Sequence, residues 1–340
     1  MRDTTVQRFK ARFGVRFMTC AAVGVVLGLV AAWTAGQSTV HTALPNIRLF
    51  VNERVTAAVK AQYPMRRAED SIIIHESFFD PDGDGLFQHY GLFAQALANQ
   101  VPRGYSGPVC FDWEGMGMLR LNAAIGSPAH SAGVQAFVNV IQFARLIRPE
   151  AQLGFYGIPM SEYWDRNEAW RQRNLALQPI VDVSDCLFPS VYDLYKTNEA
   201  PLLTAERDLQ YVRECVRMAL EMSGGRPVYA YVHPRYHPSN MNFGMTLIPN
   251  DEFKSHVKAV FETNFRGDKA DGVVWWGDDR YYRWLSQQNF PYFHPQYNMP
   301  MRWREVFENE IPANTTDDAH YTTIHKRTVG QLWEVIRSLP

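Results

Sequence analysis

The run Val109-Cys110-Phe111-Asp112-Trp113-Glu114-Gly115 places two carboxylates one residue apart at the end of an apolar, β-prone stretch. Side chains alternate along a strand, so Asp112 and Glu114 share one face and Trp113 points to the other. Two acids held together cannot both ionise cheaply; the pair titrates apart, one member anionic and the other keeping its proton to higher pH. Such a pair suits the cleavage of a glycosidic bond. The protonated member donates to the leaving oxygen, and the anionic one orients or stabilises the group that carries the developing positive charge. The triplet is short, however, and two acids facing water at a strand end would read the same.

Carboxylates in this role need a scaffold that brings strand ends to one place. Seven β-rich runs recur, at 47–51, 71–74, 109–113, 152–156, 186–192, 227–232 and 272–276. Amphipathic stretches alternate with them. The 131–147 stretch carries Val134, Phe137, Val138, Ile141 and Ala144 at helical spacing and closes at Arg148-Pro149, and 202–222 and 251–265 behave alike. The alternation predicts an α/β fold: a TIM-like (β/α) barrel with parallel strands, outer helices and functional side chains at the C-terminal strand ends. Asp112 and Glu114 fall at such an end. A doubly wound open sheet gives a similar order of elements and stands as the alternative. Residues 37–340 read as one domain, with Trp333, Ile336 and Leu339 marking a final amphipathic helix packed on the barrel.

Arg2, Arg8, Lys10, Arg12 and Arg16 precede a charge-free apolar run at 17–33, followed by Thr34-Ala35-Gly36-Gln37-Ser38. Residues 1–36 are therefore expected to be a secretory signal peptide, or else a single-pass membrane anchor through 17–33; both place the remainder outside the cytoplasm. Cys20 lies in that segment, which leaves Cys110, Cys186 and Cys215, too few for a disulfide framework in a chain of 340 residues. A formal net charge of -1 excludes the basic surface that nucleic acid would need. Nine Trp and 16 Tyr supply rings that fill cores and also stack on sugar faces.

Several strand-end blocks, in order, resemble the hyaluronidase family of glycoside hydrolases found in animals and venoms. Asp112-Trp113-Glu114 is similar to that family's catalytic Asp-x-Glu. Leu187-Phe188-Pro189-Ser190-Val191-Tyr192, Arg226-Pro227-Val228-Tyr229-Ala230-Tyr231 and Ala270-Asp271-Gly272-Val273-Val274-Trp275-Trp276-Gly277 resemble three of its strands, and Arg148-Pro149 followed by Gly154-Phe155-Tyr156 resembles a fourth block. The blocks cover about residues 46–285. The resemblance implies a barrel and an endo-acting hydrolase of N-acetylhexosamine-containing polysaccharide, such as hyaluronan or chondroitin. It also implies substrate assistance, in which the sugar's own acetamido oxygen attacks the anomeric carbon. Carried over by position, Glu114 is the general acid/base and Asp112 holds the acetamido group. Tyr192 and Tyr231 bond around that group, and Trp276 lines the sugar pocket. The chain departs from the family in lacking its disulfide cysteines and cysteine-rich C-terminal module. It reads Val51-Asn52 where the family has Trp-Asn, and His75 followed by Glu76 in place of a strand-end Tyr. Two other readings stand beside this one: a non-catalytic glycan-binding barrel, and a hydrolase of chitin-like or peptidoglycan-like chains.

Remaining candidates are read as structural. Asp80-Pro81-Asp82-Gly83-Asp84-Gly85 begins like a calcium loop, but its twelfth position is Gly91, so a plain acidic turn is expected. His233 and His237 are separated by Pro234 and followed by Pro238, which suits a loop at the barrel mouth better than a zinc pair. His75-Glu76 is expected either to hydrogen-bond a sugar or to close a strand end. No cofactor or metal enters the chemistry, and Asn314-Thr315-Thr316 fits a glycosylation sequon.

Overall fold

In the computed structural model the described residues are 48–52, 59, 70–277, 279–287, 299–312 and 315–339. Six parallel strands, β1 (Arg48–Asn52), β2 (Asp70–His75), β3 (Pro108–Asp112), β4 (Gln152–Phe155), β5 (Tyr229–Val232) and β6 (Gly272–Trp275), pair in the order β4-β3-β2-β1-β6-β5. Residues 185–191 close the ring between β5 and β4. Phe188 bridges Tyr156 on one side, and Leu187 and Ser190 bridge Val228 and Tyr231 on the other. All seven β-rich runs thus become staves of one (β/α) barrel, and the open-sheet alternative falls. The 185–191 stave carries bridges and not a continuous ladder because Pro189 has no N–H to donate.

Parity along each strand separates two cores. Phe50, Cys110, Phe188, Tyr229, Tyr231 and Val274 point inward and fill the barrel. Val109, Phe111, Trp113, Leu153, Val228, Val273 and Trp275 point outward into the larger layer under the helices. Two glycines make the inner layer possible. A Cβ on Gly272 would lie 2.1 Å from the Arg48 carbonyl oxygen, and one on Gly154 would lie 2.3 Å from that of Cys186.

The helices are α1 (Tyr90–Gln100), α2 (Met116–Leu121), α3 (Pro128–Ile147), α4 (Glu168–Leu175), α5 (Gln178–Val183), α6 (Ala205–Ser223), α7 (Asn250–Glu262), α8 (Asp279–Gln287), α9 (Met299–Glu310) and α10 (Asp317–Ser338). Three of the expected helices shift at their starts or ends. Helix α3 begins at Pro128 because the Ser127 hydroxyl accepts from the His130 amide and proline suits the first turn; α6 begins at Ala205 because Thr204 caps Arg207. Helix α7 stops at Glu262, and Thr263 turns extended with its hydroxyl donating to the Ala259 carbonyl. The expected last helix is α10: Val335 and Ile336 are buried, Trp333 and Leu339 pack beside them, and Lys254 of α7 meets Glu334 at 2.6 Å.

A buried charge network ties these C-terminal helices to the barrel rim. Arg235, fully buried after β5, bonds Asp279 of α8 and Glu310 of α9, and His325 of α10 meets the second Asp279 oxygen at 2.9 Å. Burial alone would raise the Asp279 pKa, but the Arg235 guanidinium and His325 outweigh it and hold the carboxyl below its usual range. Cys110, Cys186 and Cys215 are buried free thiols. The 1–36 segment with its apolar run and Cys20, and Asn314 of the sequon, lie outside the described residues. Among those that are described, no helix is long and apolar enough to cross a membrane.

Barrel closure makes a paired prediction. Gly154→Ala forces a Cβ into the Cys186 carbonyl and should cost about 1–3 kcal/mol, whereas Gly91→Ala in α1 meets no atom within 4 Å and should be neutral or stabilising by up to about 1 kcal/mol. Urea unfolding of both variants checks the opposite signs.

Candidate active site

Asp112 ends β3 on its inward face, Trp113 turns outward, and Glu114 returns to the mouth before Gly115 opens α2. Trp113 fixes this alternation. Its ring stacks on Phe137 with centroids 4.5 Å apart and meets Phe79 edge-on, a Cβ on Gly117 would collide with it, and its Nε1 donates to Asp80 Oδ2 at 2.8 Å. The acidic turn is accordingly a brace. Asp80 also accepts from the Asp84 and Gly85 amides, Asp84 accepts from the Leu86 amide, and Asp82 pairs with His89.

The acids perturb each other by charge and hydrogen bonding. Burial is the main cause of the rise of Asp112 to about 6, with the Glu76 charge adding to it. Glu114 is pushed further, to about 8, by the protein around it and then by the charges of Asp112 and Glu76, against a smaller opposing effect of His75. Glu114 reaches water through the mouth, which weakens the burial contribution, but the neighbouring negative charges act in the same direction and the upward shift stands. Both shifts are upward, and the larger is that of Glu114, which has the more negative surroundings. Asp112 Oδ1 is buried and meets no hydrogen-bond donor among the described residues.

The other sequence-predicted residues gather at the same end. His75 pairs in register with Asp112, is exposed, and turns its Nδ1 to the Ser77 amide and hydroxyl, so it closes its strand and faces the mouth at once. Tyr192 is buried, with its ring 5.4 Å from His233 and 6.1 Å from His237; both histidines occupy the mouth loop after β5, as expected. Tyr231 lies deeper, its buried hydroxyl near Cys110 and Ser71. Trp276 is half-buried on the inner cluster.

Tyr156 received no role from sequence, and Glu76 was expected, with His75, either to contact sugar or to close a strand end. Glu76 follows His75 at the end of the strand next to β3, and its Oε2 accepts from the Gly115 amide at 3.0 Å, holding the turn that carries Glu114. Tyr156 donates to the Ser190 hydroxyl at 3.0 Å, packs edge-on against Tyr231 at 5.1 Å, and feels the Glu114 charge. Inward parity with Gly154 on β4 was the signal for Tyr156; an acid one residue past the end of β2 was the signal for Glu76. A separate surface groove of about 640 Å³, lined by Trp164, Leu202 and Arg207 among others, shares no residue with the acid pair.

No family model matches the chain, and no curated protein matches it. Among solved structures it is similar to bee venom hyaluronidase in complex with a hyaluronic acid tetramer, with a TM-score of 0.52 and 16% identity over 69% of this chain and 91% of that one. A monoclinic crystal form of bee venom hyaluronidase aligns at 0.55, again at 16% identity, over 77% and 97%. A thermostable mutant of a Cellvibrio japonicus xylanase aligns more loosely, at 0.40 and 11% identity over 87% and 99%. The barrel is the fold of these bee venom proteins; the chemistry rests on this chain's own residues.

Raising the Glu114 pKa above its ordinary value near 4.5 has a stability consequence. The folded state binds more protons than the unfolded one between about pH 4.5 and 8, so stability falls as pH rises through that window. Glu114→Gln removes the cost: its melting temperature should exceed that of the wild type at pH 8.5 and match it at pH 4, as read by thermal denaturation at both pH values. Equal gains at both would place the effect outside ionisation.

Proposed function

We propose that the protein is an exported, retaining glycoside hydrolase that cleaves an N-acetylhexosamine-containing polysaccharide, hyaluronan or chondroitin in type, with Glu114 as general acid/base. The observation that carries the reading is the pair of carboxylates at the barrel mouth, Asp112 ending β3 on its inward face and Glu114 two residues further on, with Glu114 the more strongly raised. Protonated Glu114 donates to the glycosidic oxygen as the substrate's acetamido oxygen attacks the anomeric carbon. Asp112 accepts the acetamido N–H through the buried oxygen that the protein leaves without a donor, and its charge offsets the cation of the cyclic intermediate. Glu114, now ionised, takes a proton from the attacking water, and the configuration is retained after two displacements.

On this reading Tyr192 and Tyr156, whose rings pack together and against Tyr231, wall the sugar site, and Trp276 offers a ring at its rim. The resemblance of the strand-end blocks and the barrel shared with bee venom hyaluronidase support a hexosaminidase of this type. The basic residues ahead of the apolar run at 17–33 support export.

Screening hyaluronan, chondroitin, chitin oligosaccharides and peptidoglycan identifies the polymer. On the accepted one, Glu114→Gln should lower kcat by about 10²–10⁴-fold while binding persists. Asp112→Asn removes a negative neighbour, so Glu114 loses its proton at lower pH and the alkaline limb of the residual activity should move down. De-N-acetylated polymer should bind without being cleaved. Cleavage of that polymer at the normal rate, or inversion at the anomeric carbon, would replace substrate assistance with a direct two-carboxylate mechanism.

A further inference from the structure

The short turn that follows β2 grips Glu114 from both sides. Glu76 opens this turn and Asp80 closes it: the Phe79 and Asp80 amides donate to the Glu76 carbonyl at 2.9 and 2.7 Å, which fixes the two acids one turn apart. Asp80 takes the indole N–H of Trp113, the residue before Glu114, and Glu76 takes the amide of Gly115, the residue after it. The last ladder pair of β2 and β3, His75 with Asp112, brings Glu76 to this place. Its approach is close. A Cβ on Gly115 would lie 3.2 and 3.3 Å from the two Glu76 carboxylate oxygens, so both press on the backbone that carries Glu114.

The turn by itself does not need a charge there. A neutral glutamine oxygen would accept from the Gly115 amide without repelling two neighbouring acids. A third carboxylate adds a repulsion, and departures of this kind from the least costly residue gather at functional sites. The groups around Glu114 show where the repulsion acts. Asp112 on β3 and Glu76 after β2 bring negative charge to it, and His75 at the end of β2 opposes them with a smaller effect. Tyr156 after β4, Tyr192 after the 185–191 stave and Cys110 on β3 lie close enough to feel the Glu114 charge, but burial holds all three neutral. Asp112 and Glu76 are therefore the two anions that act on Glu114 among these groups, and only Asp112 has a part in the chemistry above.

We propose that Glu76 is a positioning residue for Glu114, its carboxylate both holding the turn at Gly115 and supplying a negative charge beside the acid pair; this rests on the reading of Glu114 as general acid/base. The hydrogen bond sets where the Glu114 carboxyl stands. The charge makes loss of its proton harder, so the acid form persists to higher pH.

The test uses full-length protein with ¹³C-labelled glutamate carboxyls, the Glu114 signal being identified by its loss in Glu114→Gln. Glu76→Gln keeps an oxygen for the Gly115 amide and removes the charge. The Glu114 titration midpoint, read by NMR, should fall by at least about 0.5 pH unit, because one negative neighbour fewer eases ionisation in a partly screened site. Asp82→Asn removes an exposed carboxylate of the adjoining acidic turn and should leave the midpoint in place. On an accepted polymer the alkaline limb of Glu76→Gln should move down with the midpoint. On the acid side of the profile its kcat should exceed that of Glu76→Ala at least tenfold, because only the glutamine still holds Gly115. A midpoint that stays in place in Glu76→Gln, or moves as far in Asp82→Asn, would overturn the proposal; so would a glutamine variant no better than the alanine one. If the wild type cleaves none of the polymers, the hydrolase reading fails, while the midpoint still decides whether Glu76 acts on Glu114.

Discussion

The alternation of three residues at the end of β3 governs the rest of this site. Asp112 and Glu114 face the barrel only because Trp113 faces away, and Trp113 is held away by Phe137 beneath its ring, Gly117 against its face and Asp80 at its indole N–H. A slip of one residue would bury both carboxylates in the helix layer and put an indole in the mouth. Strand register carries the constraint to its neighbours: His75 sits opposite Asp112, and Glu76 then reaches the Gly115 amide. Side chains that look peripheral to the chemistry, an aspartate in a surface turn and a glycine in a short helix, therefore decide where the two acids point.

The same placement sets their electrostatics. The Arg235 guanidinium lies in the network that joins the C-terminal helices, away from the barrel interior, and there it keeps Asp279 ionised. In the mouth three carboxylates converge, and Glu114, with burial and the charges of Asp112 and Glu76 acting on it against a smaller effect of His75, is raised furthest. Among the described residues Asp112 Oδ1 is buried with no hydrogen-bond donor. An unsatisfied polar atom in a core is destabilising, and one on the inward face beside Glu114 suits contact with a polar ligand.

The C-terminal helices close the barrel wall where β6 and β5 end. Arg235, Asp279, Glu310 and His325 come from four separate segments, and Tyr282 of α8 approaches His233 at 5.9 Å, so the mouth on this side is built by residues far from the acid pair in sequence. An ion pair this deeply buried depends on near-complete pairing of both partners. It is satisfied here because Arg235 also donates to the Met245 carbonyl.

Local sequence determined much of this protein. Alternation and short β-rich runs identified all seven staves, helical spacing identified α3, α6, α7 and α10, and the Asp-x-Glu spacing placed two acids on one face, because these signals depend on periodicity within a few residues. Strand-end blocks in order pointed to Tyr192, Tyr231 and Trp276, and the departure at the end of the second strand pointed to His75. Cap chemistry at Ser127 and Thr204 set helix starts that periodicity alone misplaces. What only tertiary structure decided were relations between residues remote in the chain: that 185–191 closes a ring in place of an open sheet, that Asp80 braces Trp113 across thirty-three positions, that Glu76 supports the Glu114 turn, and that His256 meets Asp193. Each depends on the spatial adjacency of segments whose separation along the chain leaves no periodic trace, and so each arises only once the barrel has closed.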